Sequence, residues 1–225
     1  MINLITAQNI EKIIPKFEKN GICIIKKYIT NEKLKLIDYE FNTIINGNHN
    51  FDPNTEPNIC LRTNINSNII NINKNKNIHS AFSNNFINSI AENILGSFKS
   101  DSLFIHKDFK NLKSNNTYPH FDYDRKLKFY LCLNDMNVDN GCFKALPNQM
   151  KLVEKKRKIN RRNNIFTPGH KFYNGTEIKI TELIPIECSA GDLIIFDTNC
   201  IHAGGDSFEE GKYRKVIRLH LSKNY

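Results

Sequence analysis

The chain of 225 residues lacks several features that mark whole classes of protein. It has no apolar run near the roughly 20 residues needed to span a bilayer. Met1 is followed by no basic-then-apolar leader. The six cysteines include no Cys-x-x-Cys pair, and most lie in apolar segments, which favours reduced buried thiols over disulfides or a zinc site. We therefore expect a cytoplasmic protein without a membrane segment.

The length and the net charge of the chain indicate how many domains it forms and which partners it could bind. A chain of 225 residues is predicted to form one domain with a substantial core. Much of the net charge of +9 comes from residues 151–162, which hold seven basic residues and one acidic residue. Such a run is explained either by a solvated helix or loop face or by attraction of an anionic substrate. No aromatic residue interrupts it and no nucleic-acid-binding motif accompanies it, so we expect no nucleic acid partner.

The first hundred residues show mainly helical periodicity. Thr6 is predicted to cap the first helix and Gly21 to end it, after which residues 22–25 form a short buried strand. Residues 45–77 are rich in Asn and are expected to be mostly loop. Apolar residues spaced by three and four predict helices over residues 10–17, 34–41 and 82–95.

From residue 102 onward, alternating or continuously apolar segments predict strands. Within residues 126–134, the odd-numbered apolar residues are predicted to share one face and Lys128, Tyr130 and Cys132 the other. The long polar stretch of residues 148–175 is typical of a lid or binding loop. Helices followed by strands favour a mainly β fold with flanking helices over alternating βαβ units. Strands are predicted over residues 102–109, 118–122, 126–134, 142–146, 178–188, 193–197 and 216–221.

Three residues carry the main chemical signal. His120 and Asp122 are two apart on a predicted strand, so their side chains point to the same side. His202 on a neighbouring strand would complete two imidazoles and one carboxylate on one face of a metal ion. Such a set leaves about three coordination positions open and is typical of non-haem Fe(II) oxygenases. Arg214, twelve residues after His202, offers a planar cation that suits a dicarboxylate cosubstrate. Of the other histidines, His106 is the strongest candidate for a supporting role.

Several short motifs follow one another along the chain. They are Pro119-His120-Phe121-Asp122, Leu133-Asn134-Asp135, Asn140-Gly141, Pro147, Gly191-Asp192 with the apolar run to Asp197, His202-Ala203-Gly204-Gly205, and Tyr213-Arg214-Lys215. The order of these motifs resembles a known family, the phytanoyl-CoA dioxygenase-like Fe(II)/2-oxoglutarate oxygenases. This resemblance implies a double-stranded β-helix, the cupin-like jelly-roll barrel. It also implies one domain over residues 1–225, with a helical part over about 1–100, a jelly-roll core over about 101–225 and a lid insertion over about 148–176.

The resemblance also implies the site. His120, Asp122 and His202 would bind Fe(II), and Arg214 would bind the distal carboxylate of 2-oxoglutarate. Arg218 and Lys212 are rivals for the role of Arg214. The implied reaction is hydroxylation of an aliphatic C–H bond of a small metabolite by O2, with release of succinate and CO2. The basic run favours an anionic metabolite.

Other hypotheses stay open at this point. The ligands fit a non-catalytic metal-binding jelly roll or sensor equally well. An AlkB-type nucleic-acid demethylase is disfavoured because Arg214 and Arg218 are only four residues apart, and a basic nucleic-acid-binding protein would leave the ordered motifs as coincidence. The family usually has Gly-Ser-His after Pro147, where this chain has Asn148-Gln149-Met150, and the chain has no tryptophan to line a pocket. The sequence therefore leaves the substrate and the oligomeric state undefined.

Overall fold

A computed structural model describes residues 4–6, 10–47, 60–64, 75–109, 118–163, 178–205 and 209–225. Five α-helices, one 3-10 helix and ten strands lie in these residues. The helices are α1 (Ile10–Asn20), α2 (Asn31–Gly47), α3 (Lys76–Phe82), α4 (Asn85–Leu95), α5 (Met150–Arg162) and the 3-10 helix Ile180–Glu182. The strands are β1 (Leu4–Thr6), β2 (Ile22–Lys26), β3 (Cys60–Asn64), β4 (Phe98–Asp108), β5 (Leu127–Cys132), β6 (Phe143–Leu146), β7 (Ile184–Ile186), β8 (Leu193–Asp197), β9 (Ile201–Ala203) and β10 (Arg214–Lys223).

The first helix follows its predicted apolar stripe but begins differently. Helix α1 buries Ile13 and Phe17, and it ends before Gly21, whose positive φ of 73° suits glycine. The prediction that Thr6 caps this helix is wrong, because Thr6 lies in β1, which pairs in parallel with β2. Strand pairing outside the local segment overrides the capping preference there.

A second sequence prediction is wrong in the N-terminal half. The helix predicted over residues 82–95 is broken into α3 and α4, because Asn84 is extended and its side chain accepts the Ile87 N–H at 3.1 Å, which starts a new helix.

The segment of residues 45–77, which the sequence predicts to be mostly loop, contains strand β3, and β3 pairs with β4 in antiparallel register. Residues 48–59 and 65–74 lie outside the described residues, so the expectation for the whole segment stays a prediction.

The strands form two sheets. The larger has the order β1-β2-β8-β5-β10-β4-β3 and the smaller the order β7-β6-β9. Among the described residues, hydrogen bonds do not close them into a barrel. The strand predicted over residues 118–122 is reduced to one bridge, in which His120 and His202 exchange two main-chain hydrogen bonds of 2.9 Å. This mainly antiparallel arrangement with flanking helices confirms the predicted fold class.

Alternation along the central strands separates two hydrophobic cores. Phe129 and Leu131 of β5 pack in a core shared with the helices. Tyr130 and Cys132 pack in a second core that also contains residues of the smaller sheet, such as Phe143. We call the face of the larger sheet that meets the smaller sheet the inner face. The predicted division of β5 into two faces is confirmed.

Helix α5 occupies the start of the segment predicted to be a lid. Most of its basic side chains are exposed, but Val153 and Arg157 are buried against the protein. Residues 164–177, the rest of that predicted insertion, lie outside the described residues. The basic run is therefore partly structural, and its exposed face agrees with the solvated hypothesis.

Cysteines of the described residues lie in the core, as the sequence predicts. Five cysteines are buried free thiols: Cys23, Cys132, Cys142, Cys188 and Cys200. Burial raises the pKa of the Cys23 thiol to about 12, so this side chain stays protonated. No helix in the described residues is both long enough and apolar enough to cross a membrane.

Candidate metal centre

The two histidines are fixed at the join between the sheets. The Nδ1 atom of His120 lies 2.7 Å from the Tyr118 carbonyl oxygen, and Nδ1 of His202 lies 2.9 Å from the Cys200 carbonyl oxygen. A carbonyl oxygen only accepts, so in each ring Nδ1 carries the proton and Nε2 keeps its lone pair. Both side chains are buried, and their ring centroids are 4.4 Å apart. The local backbone thus directs the Nε2 lone pairs of both rings toward one point.

Asp122 completes the group. Its Oδ1 atom lies 3.7 Å from Nε2 of His120 and 3.5 Å from Nε2 of His202. One ligand atom from each residue lies within 4.8 Å of the others. Two imidazole nitrogens and one carboxylate oxygen on one side of a point fit Fe(II) with open positions. The structure therefore brings together the three residues that the sequence predicted as ligands.

Lys128 fixes the other oxygen of Asp122. Its Nζ atom lies 2.5 Å from Oδ2 of Asp122, and the Lys128 side chain is only 10% exposed. Burial alone would raise the pKa of the Asp122 carboxyl, but the charge of Lys128 and the nearby histidines hold that pKa well below its usual range. Asp122 is therefore ionised, with Oδ2 bound to Lys128 and Oδ1 facing the histidines. Sequence analysis missed this role, although a lysine on the inner face of an apolar strand was a signal.

Residues 17–210 match the profile of the phytanoyl-CoA dioxygenase (PhyH) family. The chain belongs to the phytanoyl-CoA dioxygenase family. Enzymes of this family use Fe(II), 2-oxoglutarate and O2, and the group of His120, Asp122 and His202 suits such a metal. The predicted family and enzyme class are thereby confirmed. No curated protein sequence matches the chain significantly.

Solved structures with low sequence identity share the fold of this PhyH-family chain. The non-haem 2-oxoglutarate-dependent epimerase SnoN from nogalamycin biosynthesis is 14% identical, with a TM-score of 0.68 over 95% of this chain and 80% of SnoN. The carbocyclase SnoK from the same biosynthesis is 12% identical, with a TM-score of 0.70 over 98% and 87%. HygX from Streptomyces hygroscopicus, solved with nickel and 2-oxoglutarate bound, is 11% identical, with a TM-score of 0.61 over 95% and 87%.

Arg157 of α5 holds the loop that carries Asp122 in place. Its Nε and Nη2 atoms donate to the Asp122 carbonyl oxygen at 3.2 and 3.0 Å, and Nη2 also donates to the Thr198 carbonyl oxygen at 3.3 Å. Nη1 donates to Oδ1 of Asn199. Burial lowers the pKa of Arg157 to about 10, so the guanidinium stays charged at neutral pH. Sequence analysis missed this residue within the basic run, although its four-residue spacing from buried Val153 places both on one helix face.

Arg214 lies at the start of β10 in this PhyH-family fold and is bound by protein groups. Its Nε and Nη2 atoms donate to Oδ2 of Asp108 at 3.0 and 2.6 Å, and Nη1 donates to the Gly141 carbonyl oxygen. The rival Lys212 is exposed in the turn before β10. Arg218, the other rival, lies four residues further along the same strand and contacts Tyr130 and His106. His106 contacts Arg218, and its supporting role stays a prediction.

Proposed function

We propose that this chain is an Fe(II)- and 2-oxoglutarate-dependent hydroxylase that acts on an aliphatic C–H bond of a small metabolite. One observation carries the proposal. The imidazoles of His120 and His202 are held by hydrogen bonds to carbonyl oxygens, and their Nε2 atoms lie close to Oδ1 of Asp122. Bound Fe(II) and 2-oxoglutarate would supply the oxidising chemistry, with succinate and CO2 as products. The chain itself would bind the metal and the cosubstrate, orient the substrate and exclude water from the site.

Each side chain of the centre has a distinct part in the proposal. The Nδ1–H bonds of His120 and His202 keep the two Nε2 lone pairs aimed at the metal position. Lys128 occupies Oδ2 of Asp122, so this carboxylate offers a single oxygen and leaves room for a bidentate cosubstrate. Phe143 and Phe196 pack around the ring of His202 and exclude water from that side.

We also propose that Arg214 binds the distal carboxylate of 2-oxoglutarate. A guanidinium is the side chain best suited to hold a carboxylate by two parallel charge-assisted hydrogen bonds. Asp108 orients this guanidinium, because its Oδ2 atom accepts from both Nε and Nη2. The distal carboxylate of 2-oxoglutarate would therefore bind an arginine that Asp108 already holds in one orientation.

Replacing Arg214 with methionine should weaken 2-oxoglutarate binding by roughly 10- to 100-fold, the cost of losing one or two hydrogen bonds to a charged group. Calorimetric titration of 2-oxoglutarate into Ni(II)-loaded protein measures this change. The double variant Arg214→Met with Asp108→Asn is the control, because it removes the carboxylate that the single variant leaves unpaired. Wild-type affinity in both variants would show that Arg214 does not bind the cosubstrate.

The reaction itself is tested by following both products. Aerobic incubation with Fe(II), 2-oxoglutarate and a library of small acids should yield succinate together with a product one oxygen atom heavier than its precursor. SnoN and SnoK are an epimerase and a carbocyclase, so the mass is the deciding quantity. A product of unchanged mass or two hydrogens lighter would keep the enzyme class and contradict hydroxylation. Binding of 2-oxoglutarate with no succinate from any library member would favour the non-catalytic sensor.

A further inference from the structure

Arg218 is a guanidinium on the inner face of β10 without a carboxylate partner among the described residues. It shares this face with Val216, which packs in the core between the sheets. All of its hydrogen bonds in the described part of the chain go to neutral groups: Nη1 donates to the Tyr130 hydroxyl oxygen at 3.1 Å, and Nη2 donates to the imidazole of His106. The Nε atom is buried and has no hydrogen-bond partner there. Arg218 is half-buried, and partial burial of a charge without an opposite charge costs free energy, so this arrangement favours a bound anion.

Arg218 lies in the same part of the fold as the candidate metal centre. Strand register places His220 opposite Lys128, and Lys128 holds Oδ2 of Asp122. Arg218 is two residues from His220 on the same face and lies opposite Tyr130 on β5. The ring of Tyr130 contacts Phe196, which also contacts the ring of His202. A group bound by Arg218 would therefore lie in the same space between the sheets as the triad.

A count of the charges in that space shows which cation remains unbalanced. The two positive charges of Fe(II) are balanced by the two carboxylates of 2-oxoglutarate, Lys128 balances Asp122, and Arg214 balances Asp108. Burial, together with the charges of Lys128 and Arg218, lowers the pKa of His220 well below its usual value, so this ring adds no charge. One positive charge, that of Arg218, remains after the metal and the cosubstrate have bound.

We propose that Arg218, with Tyr130 and His106, binds an oxyanion of the substrate beside the metal centre, so that the enzyme acts on a carboxylate or phosphate ester of a small metabolite. The inference rests on the proposed function for the position of the metal and the cosubstrate. The argument for an anionic substrate then depends on a half-buried arginine of β10 and no longer on the exposed face of α5. A guanidinium with an unused Nε–H and a tyrosine hydroxyl at its edge suits the planar, multidentate binding that such groups require.

The test uses protein loaded with Co(II) and saturating 2-oxoglutarate, with hexanoate as the probe and hexanamide as its uncharged match. Paramagnetic relaxation of the probe protons reports both affinity and closeness to the metal. We expect wild type to bind hexanoate at least about tenfold more tightly than hexanamide, the scale of one charged hydrogen bond. Arg218→Met should remove this preference, while its affinity for 2-oxoglutarate should stay within about twofold of wild type. Arg218→Lys should keep part of the preference.

Matched controls separate this site from general charge effects. Lys223→Met removes an exposed cation from the end of the same strand and should leave the preference unchanged. Circular dichroism and thermal unfolding of each variant confirm folding, and Arg218→Gln serves as a second neutral variant.

Four results would overturn the inference. In the first, wild type binds hexanoate and hexanamide equally; in the second, Arg218→Met still prefers hexanoate as much as wild type does. In the third, Arg218→Met loses affinity for 2-oxoglutarate; in the fourth, the relaxation is too weak to place the probe near the metal. The last two would assign Arg218 to the cosubstrate or to a remote site. Failure of wild type to bind 2-oxoglutarate while it still prefers hexanoate through Arg218 would instead contradict the proposed function and leave the oxyanion site standing.

Discussion

Replacing Asp122 with alanine should abolish tight metal binding and also destabilise the protein. The substitution removes one of the three proposed ligands, for which we expect at least about a 100-fold loss of Co(II) affinity, an effect larger than the 10- to 100-fold known for outer-shell residues. It also leaves Lys128, whose side chain is 10% exposed, without its partner. Breaking a buried pair by removing one member costs about 3–5 kcal/mol of unfolding free energy. Co(II) titration and urea unfolding of the metal-free protein measure the two effects separately.

The double variant Asp122→Ala with Lys128→Met separates ligand loss from the unpaired charge. It should regain most of the unfolding free energy, because methionine fills similar space without a charge, while Co(II) affinity stays low. Recovery of Co(II) binding in the double variant would contradict the role of Asp122 as a ligand. A double variant no more stable than the single one would contradict the account of Lys128.

The same pair gives the metal-free protein a defined pH dependence. The pKa of Asp122 is lower in the folded protein than in the unfolded chain, where it is about 3.9. Its contribution to stability is therefore fully present above the unfolded value and is lost as the pH falls toward the folded value. The stability advantage of wild type over Asp122→Ala should shrink as the pH is lowered below about 4. Urea unfolding at a series of pH values measures it, and a constant advantage down to acid unfolding would contradict the ion pair.

Replacing Arg157 with methionine should have the second-largest effect. The change removes donors from two carbonyl groups and one amide of the loops that carry Asp122 and precede His202. Lost hydrogen bonds of a buried charged group cost about 1.5–3 kcal/mol each, so we expect a loss of several kcal/mol in unfolding free energy. Because the Asp122 backbone is then less constrained, Co(II) affinity should fall by about 10-fold.

The control lies on the same helix. Lys155 is exposed two residues before Arg157, so Lys155→Met removes an equal charge without touching the metal loop. It should leave both Co(II) affinity and unfolding free energy within error of wild type. Equal losses in the two variants would mean that the basic character of α5, rather than the bonds of Arg157, supports the site.

The sequence was most informative where a local rule applied. His120 and Asp122 are two residues apart, and alternation in residues 126–134 separated the two cores correctly, because both depend on neighbours in the chain. Long-range contacts were missed. Lys128 reaches Asp122 because β5 folds back beside the His120–His202 bridge, and Arg157 reaches the Asp122 carbonyl from a helix 35 residues away in sequence.

Local propensities also failed where tertiary pairing or one side chain decided the outcome. Thr6 would suit a helix cap, but backbone pairing with β2 draws it into a strand. The apolar period continues from Phe82 to Leu95, yet Asn84 interrupts the helix by capping its second half. The role of Arg214 remains a prediction, because the sequence pattern places an arginine there and the structure adds only that Asp108 orients it.

An anaerobic titration of Fe(II) and 2-oxoglutarate into the purified protein tests the central claim most directly. If His120, Asp122 and His202 bind the metal and leave adjacent positions open, wild type should develop the weak visible charge-transfer band of a chelated 2-oxo acid at one equivalent of each. The band should be absent in His120→Ala. A wild type that binds Fe(II) and 2-oxoglutarate without the band, or a band that survives His120→Ala, would contradict the assignment of this centre.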